Sequence, residues 1–263
     1  MLDNDFITKE QAVAATKEVL KLKRDNDTNK PHAEYVSEAV RQLVYAQYGA
    51  DTYTKGLNVY TTIKHADQTA AYNALRKGVM DFERRQNYRG PELFVDLPSN
   101  QAELEDAIDN VLTDHHNMDD LKVAVVTSVN GKKVTAMMQN AETIEITGDG
   151  LKLASLGLSD KAHANIKIRR GAVIRVIKSI KNTWEIAQLP EVEGAFVALD
   201  PRTGEIKALV GGFDYNKNKF NHVTQAWRQP GSSFKPFIYS SSLEKGLSPA
   251  TVINDSPLFF DAS

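Results

Sequence analysis

The sequence is organised around one short stretch near its C-terminal end, Arg228-Gln229-Pro230-Gly231-Ser232-Ser233-Phe234-Lys235-Pro236-Phe237. Within it Lys235 follows Ser232 by three residues, so on a helix both side chains lie on one face and the lysine amine can reach the serine hydroxyl. A serine hydroxyl is a weak nucleophile until a neighbouring group takes its proton. The spacing indicates a Ser/Lys pair for acyl transfer, although two residues alone also fit a serine N-cap followed by a surface lysine.

The neighbours of Ser232 refine this interpretation. Gly231 removes side-chain bulk where the backbone of a substrate would approach. The first turn of a helix lies at the positive end of the helix dipole, which favours negative charge developing on the serine. Ser233 is a weaker candidate, because positions two apart do not share a helix face. We therefore expect Ser232 to be the nucleophile, Lys235 the general base and Gly231 a binding residue.

The composition is that of an ordinary soluble globular protein, with 41% apolar and 25% charged residues. A length of 263 residues suggests about two domains. The net charge of -2 gives no general attraction to nucleic acid or to an anionic membrane. The sequence has no cysteine, which excludes disulfides and cysteine-bound zinc.

The ends of the sequence suggest that it continues in both directions. No run approaches the roughly 20 apolar residues of a membrane span, and the N-terminus lacks the basic and then apolar pattern of a signal peptide. Met1 leads almost directly into a helical pattern, and no closing element follows the apolar residues 258–260. We expect an interior part of a longer protein.

The first part of the chain, residues 1–117, predicts a largely helical region. Apolar residues at helical spacing predict helices over residues 6–24, 34–48, 66–85 and 103–113. Thr8 and Gln11 form a capping box for the first helix, and Gly49 is expected to end the second. The β-branched and aromatic segment 57–63 predicts a short strand.

From residue 121 the apolar period changes from that of a helix to that of a strand. Five short strands are predicted over residues 122–129, 132–138, 142–147, 172–180 and 182–189. The pair Asn130-Gly131 is a strong signal for a hairpin turn between the first two. This density of short strands predicts a small OB-like β-barrel over residues 118–190.

A basic segment lies within the predicted barrel. Lys161–Lys181 holds seven Lys or Arg and no Asp or Glu. Barrels of this type often bind nucleic acid or sugar, but no aromatic residues are interleaved here to stack on bases. We therefore expect no nucleic acid, and we favour a solvated face on an interaction domain, with Lys167, Arg169 and Arg170 as candidate partner-binding residues.

A second sheet is predicted after residue 190. Residues 194–199 and 205–210 predict a hairpin whose turn has Pro201 at its second position. A loop rich in Asn and aromatic residues follows, and then a helix from Ser232 or Ser233 to Lys245, ended by Gly246. We expect Trp227 to pack beneath this helix.

Several runs of residues resemble one family in their order and spacing. They are Ala198-Leu199-Asp200-Pro201-Arg202-Thr203-Gly204-Glu205-Ile206-Lys207-Ala208-Leu209-Val210-Gly211-Gly212, then Phe220-Asn221, Ala226 and residues 228–236, and upstream residues 35–38, 41–42, 56–63, 82–85 and 88–91. Together they resemble the class A (bifunctional) penicillin-binding proteins, most closely the 1A type of Gram-negative bacteria.

The resemblance implies an α+β fold in three parts. Residues 1–117 would be the linker that follows a glycosyltransferase domain, residues 118–190 the OB-like domain, and residues 191–263 the beginning of a serine β-lactamase-like transpeptidase domain. The glycosyltransferase domain and its membrane anchor would precede Met1. The family's S-x-N and K-T-G motifs do not follow Lys235 here, so we expect this part to be inactive alone.

The resemblance also implies an activity and a site. The family's enzyme is a peptidoglycan D,D-transpeptidase that cross-links the cell wall through an acyl-enzyme, here on Ser232, with Lys235 as the base. Its partners would be the D-Ala-D-Ala ends of stem peptides and β-lactams, on the periplasmic side of the inner membrane. Asn221 matches a family position near the site, with a purely structural turn as the alternative.

Two further expectations concern partners and cofactors. The resemblance implies an outer-membrane lipoprotein activator as a partner of the OB-like domain, so the alternative function for this stretch is a regulatory protein-binding module. The pairs His115-His116 and Asp119-Asp120 lack the supporting cluster of a metal site. We expect a solvated loop there, and neither a metal nor a cofactor.

Overall fold

The computed structural model describes residues 1–4, 6–17 and 31–257. Its helices are α1 (Lys9–Lys17), α2 (Glu34–Tyr48), α3 (Asp51–Thr54), α4 (His65–Glu83), α5 (Gln101–Asp114) and α6 (Lys235–Glu244). Its strands are β1 (Leu93–Phe94), β2 (Lys122–Asn130), β3 (Lys133–Met137), β4 (Thr143–Thr147), β5 (Ala172–Lys178), β6 (Trp184–Ala187), β7 (Phe196–Leu199) and β8 (Ile206–Val210). Short 3-10 helices lie at Leu2–Asn4, Gln139–Ala141, Gly148–Leu151, Ser155–Leu158 and Gly231–Phe234. The predicted α+β class is confirmed.

The helix signals near the N-terminus act as predicted. The Thr8 amide donates to Oε1 of Gln11 at 2.8 Å, and the Gln11 amide donates to Oγ1 of Thr8 at 3.3 Å, which completes the capping box at the start of α1. Residues 18–24 of this predicted helix lie outside the described residues. Helix α2 ends as predicted at Gly49, whose φ of +57° suits a residue without a side chain. No helix in the described ranges is both long and apolar enough to cross a bilayer.

The prediction of a strand over residues 57–63 is wrong. Two hydrogen bonds join the end of this segment and the residue after it to β8: Oγ1 of Thr62 donates to the Ile206 carbonyl at 2.7 Å, and the Lys64 amide donates to the Lys207 carbonyl at 3.0 Å. One of these donors is a side chain. β-branched residues favour extended backbone, but a strand also needs a ladder of main-chain bonds, and this segment does not form one in the described structure.

The middle of the chain forms one antiparallel sheet of six strands. The strand order is β1-β5-β2-β3-β4, and β6 pairs with β5 on the edge that β1 also uses. The five predicted strands are present, but the predicted barrel is not closed. The 3-10 turn Gly148–Leu151 lies where β4 and β6 approach, and a Cβ at Gly150 would come within 2.3 Å of the Trp184 carbonyl oxygen. The chain therefore covers this gap with a turn instead of a ladder.

Both faces of this sheet are buried at its centre, along β5 and the first part of β2. Alternate residues of β2 face opposite cores: Ala124 and Val126 join one cluster, while Val123 and Val125 pack under α5. Ile108 of α5 is fully buried against the second face. From the sequence we expect α5 to belong to the linker, whereas in the structure it packs on the sheet. This packing explains why β2 and β5 are near-continuous apolar runs rather than alternating ones.

Strands β7 and β8 form the predicted hairpin, and α4 packs against β8. Ala71 and Tyr72 of α4 share a buried cluster with Ala208 and Val210. The fully buried Gln68 completes the contact, because its amide accepts from the Leu209 N–H and donates to the Leu209 C=O, both at 2.8 Å. A side chain thus takes the place of a neighbouring strand along the edge of β8.

We expect Gln68→Leu to destabilise the chain by at least about 2 kcal/mol, because it leaves both Leu209 groups buried without partners. The measurement is urea unfolding followed by circular dichroism. Gln47→Leu is the matched control, since Gln47 is exposed on α2, and it should change stability by no more than about 0.5 kcal/mol. Equal stability of the two variants would show that the Gln68 amide does not satisfy the β8 edge.

Candidate active site

Ser232 and Lys235 lie one helical turn apart. The 3-10 helix Gly231–Phe234 runs directly into α6, and the Lys235 amide donates to the Ser232 carbonyl. Residues three positions apart in a 3-10 helix lie on the same side, so the two side chains share one side of the helix. The spacing from which the sequence predicts a Ser/Lys pair is therefore present in the folded chain.

Gly231 precedes this turn with a left-handed backbone. Its φ is +52°, and a Cβ added there would meet no atom within 4 Å. A left-handed φ is costly for residues with side chains, so the turn itself calls for glycine. Clearance for an approaching substrate, which the sequence suggested as the reason, stays a prediction.

The surroundings of the pair are open. The side chains of Ser232 and Lys235 are both exposed, and α6 buries none of its residues. No hydrogen bond joins the two side chains within the described residues. Trp227 is 96% exposed, so the prediction that it packs beneath the helix is wrong; its amide bonds to the Gln225 carbonyl in a tight loop that turns the indole outward.

Asn221 holds a turn in the segment between β8 and the candidate nucleophile. It is buried. Its side-chain Oδ1 accepts from the backbone amide of Val223 at 3.0 Å, and its backbone amide donates to Oε1 of Gln225 at 2.6 Å. These contacts agree with the structural alternative. Among the described residues no contact joins Asn221 to Ser232 or Lys235, so its predicted role in binding stays a prediction.

We call residues 213–229 the connector, because they lead from the end of β8 to Gly231. The connector is held at its middle by α2 and by Gly211, the residue that follows β8. The Tyr35 hydroxyl donates to the Asn218 carbonyl at 2.6 Å, and the His222 amide donates to the Gly211 carbonyl at 2.9 Å. Burial, and then the Glu193 carboxylate, raise the pKa of Tyr35 above the ordinary tyrosine value, so its hydroxyl remains a donor.

Arg76 of α4 is a buried charge whose role is not predicted from the sequence. Its side chain is almost fully buried, and its guanidinium donates to the Phe213 carbonyl at 2.9 Å and to the Met118 carbonyl at 2.7 Å. It also pairs with the Asp120 carboxylate. Because Arg76 follows Tyr72 by four residues, it lies within the apolar stripe of α4. A charged residue in an apolar stripe is the sequence feature that could have indicated a buried, paired arginine here.

Glu83, at the end of α4, is a second buried charge. Its carboxylate accepts from Nε2 of Gln188 and from the Glu191 amide, both at 3.1 Å, and from Arg89 at 2.9 Å. Gln188 and Glu191 lie just after β6, where the chain leaves the six-stranded sheet, and Arg89 lies just after α4 itself. Helix α4 is therefore bonded through Arg76 to residues just before β2, and through Glu83 to residues just after β6.

The three candidate partner-binding residues contact other parts of the same chain. Arg170 donates to the Leu97 and Pro98 carbonyls, each at 2.6 Å, and the Arg169 guanidinium lies 4.6 Å from the centre of the Phe94 ring. Lys167 donates to the Asp160 carbonyl at 3.3 Å. Each residue thus contributes to the fold, and their predicted role towards a partner stays a prediction.

Side chains from the pairs His115-His116 and Asp119-Asp120 contact other charged side chains in the described ranges. Asp120 pairs with Arg76, and Nδ1 of His115 lies 3.5 Å from the Glu92 carboxylate. No group of three or more His, Asp or Glu side chains among the described residues is arranged to hold a metal ion.

Two family models match the chain. The penicillin-binding protein OB-like domain matches residues 88–192, and the penicillin-binding protein transpeptidase domain matches residues 194–261. The first match begins before the boundary that we expected at residue 118, in agreement with the packing of β1 and α5 on the sheet.

Similar proteins are found over the whole chain. It is 40% identical over 259 residues to penicillin-binding protein 1A of Neisseria lactamica, covering 98% of this chain and 32% of that protein. It is 35% identical over 269 residues to penicillin-binding protein 1A of Escherichia coli K12, covering 100% of this chain and 32% of that protein. The crystal structure of penicillin-binding protein 1A from Haemophilus influenzae matches with a TM-score of 0.77 and 30% identity, over 98% of this chain and 37% of that one. The chain thus spans about a third of the length of these relatives.

Proposed function

Because this chain belongs to the penicillin-binding proteins, we propose that it carries the nucleophile of a peptidoglycan D,D-transpeptidase. The enzyme as a whole would be bifunctional, with a glycosyltransferase activity outside this chain. The observation that carries the proposal is the one-turn spacing of Ser232 and Lys235 within the segment that matches a transpeptidase domain.

The proposed reaction proceeds through an ester on Ser232. Oγ of Ser232 attacks the carbonyl carbon between the two D-alanines of a stem peptide, a C–O bond forms, and the C–N bond to the terminal D-alanine breaks. Lys235 takes the serine proton and returns it to the departing amine. The amine of a second stem peptide then attacks the ester, which forms the cross-link and restores the Ser232 hydroxyl.

The tetrahedral intermediate carries a negative oxygen that needs hydrogen-bond donors. In the proposal the Ser232 N–H is one of them, at the start of the helical segment where the dipole also favours negative charge. A second donor would come from the family's K-T-G strand, a motif that residues 236–263 do not contain. Losing one such donor costs roughly 10²–10³-fold in rate, so we expect little activity from residues 1–263 alone.

β-Lactams follow from the same chemistry. Attack of Ser232 on the lactam carbonyl would break the ring C–N bond, but both halves stay joined, so nothing leaves and the ester persists. The substrate places this activity on the periplasmic side of the inner membrane, where the cell wall is assembled. An outer-membrane lipoprotein activator remains part of the proposal, although Arg169 and Arg170 already have intramolecular partners.

The test is release of D-alanine by the full-length protein from a stem pentapeptide. We expect release, and a cross-linked product when an acceptor amine is present, both abolished by pre-incubation with benzylpenicillin. Release that is insensitive to benzylpenicillin, or no release from protein that is folded, would contradict the proposal. The alternative, a regulatory module without catalysis, predicts the second of these results.

A further inference from the structure

Helix α4 contacts both the OB-like region and the transpeptidase segment. Near its start, Gln68 bonds to Leu209 of β8. At its end, Glu83 bonds to Gln188 and Glu191 beyond the last strand of the OB-like sheet. Arg76 lies between them. A single rigid element therefore joins the two regions, and Arg76 is the point where their contacts meet.

The Arg76 guanidinium binds both regions at once. On the OB-like side it donates to the Met118 carbonyl and to the Asp120 carboxylate, just before β2 begins. On the transpeptidase side it donates to the Phe213 carbonyl at 2.9 Å. Because a guanidinium is planar and its donors are fixed relative to one another, these acceptors are held at set distances.

Phe213 is held from several directions, and it is the first residue of the connector. Its amide donates to the Glu193 carboxylate at 3.1 Å, and the Arg76 guanidinium lies 4.1 Å from the centre of its fully buried ring. From this anchored residue the connector runs without a helix or strand to Gly231, directly before the candidate nucleophile. The position of Phe213 therefore sets where the connector starts.

We propose that Arg76 is a positioning residue through which the OB-like region fixes the connector and so sets the rate at which Ser232 is acylated. This inference rests on the proposed function for its catalytic consequence. Arg76 does not contact the reacting atoms. Its effect is to align the nucleophile, and small misplacements of reacting groups can cost up to about 10²-fold in rate.

The test compares Arg76→Lys with Arg89→Lys. A lysine keeps the positive charge at position 76, but its single ammonium cannot span the Phe213, Met118 and Asp120 acceptors in the same way. Arg89 is the matched control, because it bonds to Glu83 and Glu191 at the far end of α4 and makes no contact with the connector among the described residues.

Two readouts are made on both variants. The first is hydrogen exchange of connector amides, among them that of His222, which donates to Gly211. The second is the acylation of the full-length protein by a fluorescent penicillin, with the rate constant of acylation separated from the affinity of the preceding complex. We expect Arg76→Lys to speed connector exchange and to lower the acylation rate constant roughly tenfold or more, with the affinity unchanged. Arg89→Lys should change neither readout, even where it lowers the melting temperature as much.

The outcomes separate the two proposals. If Arg76→Lys and Arg89→Lys have the same effect on both readouts, Arg76 is only structural and the inference is wrong. Should Arg76→Lys not fold, Asp120→Asn decides, because it keeps Arg76 and the side-chain volume and removes only the charge on the OB-like side. It should lower the acylation rate constant by a smaller factor, and an unchanged value would overturn the inference.

Wild-type protein that is folded and never acylated would instead refute the proposed function, while the exchange data would still test whether Arg76 holds the connector.

Discussion

Full-length protein with Ser232→Ala is expected to lose all covalent labelling by a fluorescent penicillin. The label is retained through an ester to Oγ, and alanine has no atom that can form it. Ser232 is exposed, so removing its hydroxyl should leave the fold intact. The measurement is in-gel fluorescence after denaturation, which detects only covalently bound label.

Ser233→Ala is the matched control for this prediction. Ser233 is also an exposed serine in the same 3-10 turn, but its side chain lies two positions from Lys235 and not on the same face. We expect this variant to be labelled at the wild-type rate. Labelling of Ser232→Ala, or loss of labelling from Ser233→Ala, would mean that the nucleophile has been misassigned.

The second large effect is expected for Lys235→Met, which should slow labelling roughly 10²–10⁴-fold, the range that a positioned general base contributes. Methionine keeps most of the side-chain length but cannot accept a proton. The rate is followed by stopping the reaction at successive times, so that slow acylation is distinguished from none. A small amount of labelled protein should still form, because Ser232 remains present.

Lys245→Met is the control for Lys235→Met. Lys245 is also exposed and directly follows α6, so its replacement removes the same charge at a distance from Ser232. It should leave the labelling rate unchanged. If the two variants lose activity equally, the effect of Lys235 is a general charge effect. A wild-type rate for Lys235→Met would instead assign the base to another residue.

Features that depend on residues close in sequence were predicted well. The Thr8 capping box, the end of α2 at Gly49 and the hairpin between β2 and β3 each depend on residues within a few positions of one another. The turn of this hairpin lies at residues 131–132 and not at the predicted pair Asn130-Gly131, because Asn130 pairs with Lys133. The one-turn spacing of Ser232 and Lys235 has the same origin. Local backbone preference determines these features, and it can be read directly from the sequence.

Features that depend on distant parts of the chain were missed or predicted wrongly. Arg76, Gln68 and Tyr35 each bond to a residue far along the chain, 137, 141 and 183 positions away, and no local pattern indicates these partners. The sequence predicts the OB-like strands but not where their sheet stays open, because strand propensity does not show that a turn at Gly150 fills the gap beside β6. Segment 57–63 has the composition of a strand, yet only Thr62 and the following Lys64 form hydrogen bonds to β8.

The contacts of α4 show how these distant pairs organise the chain. Buried polar side chains on this helix, namely Gln68, Arg76 and Glu83, each satisfy backbone groups of another region. Buried polar groups without partners are costly, so each of these contacts requires the two regions to remain in place. The candidate nucleophile is exposed, but the segment leading to it begins at one of these buried contacts.

The most direct test of the account is to locate the penicillin adduct on the full-length protein. The protein is incubated with benzylpenicillin and digested, and the modified residue is identified by tandem mass spectrometry. We predict one adduct, on Ser232. An adduct on any other residue, Ser233 included, would contradict the assignment on which the proposed function rests.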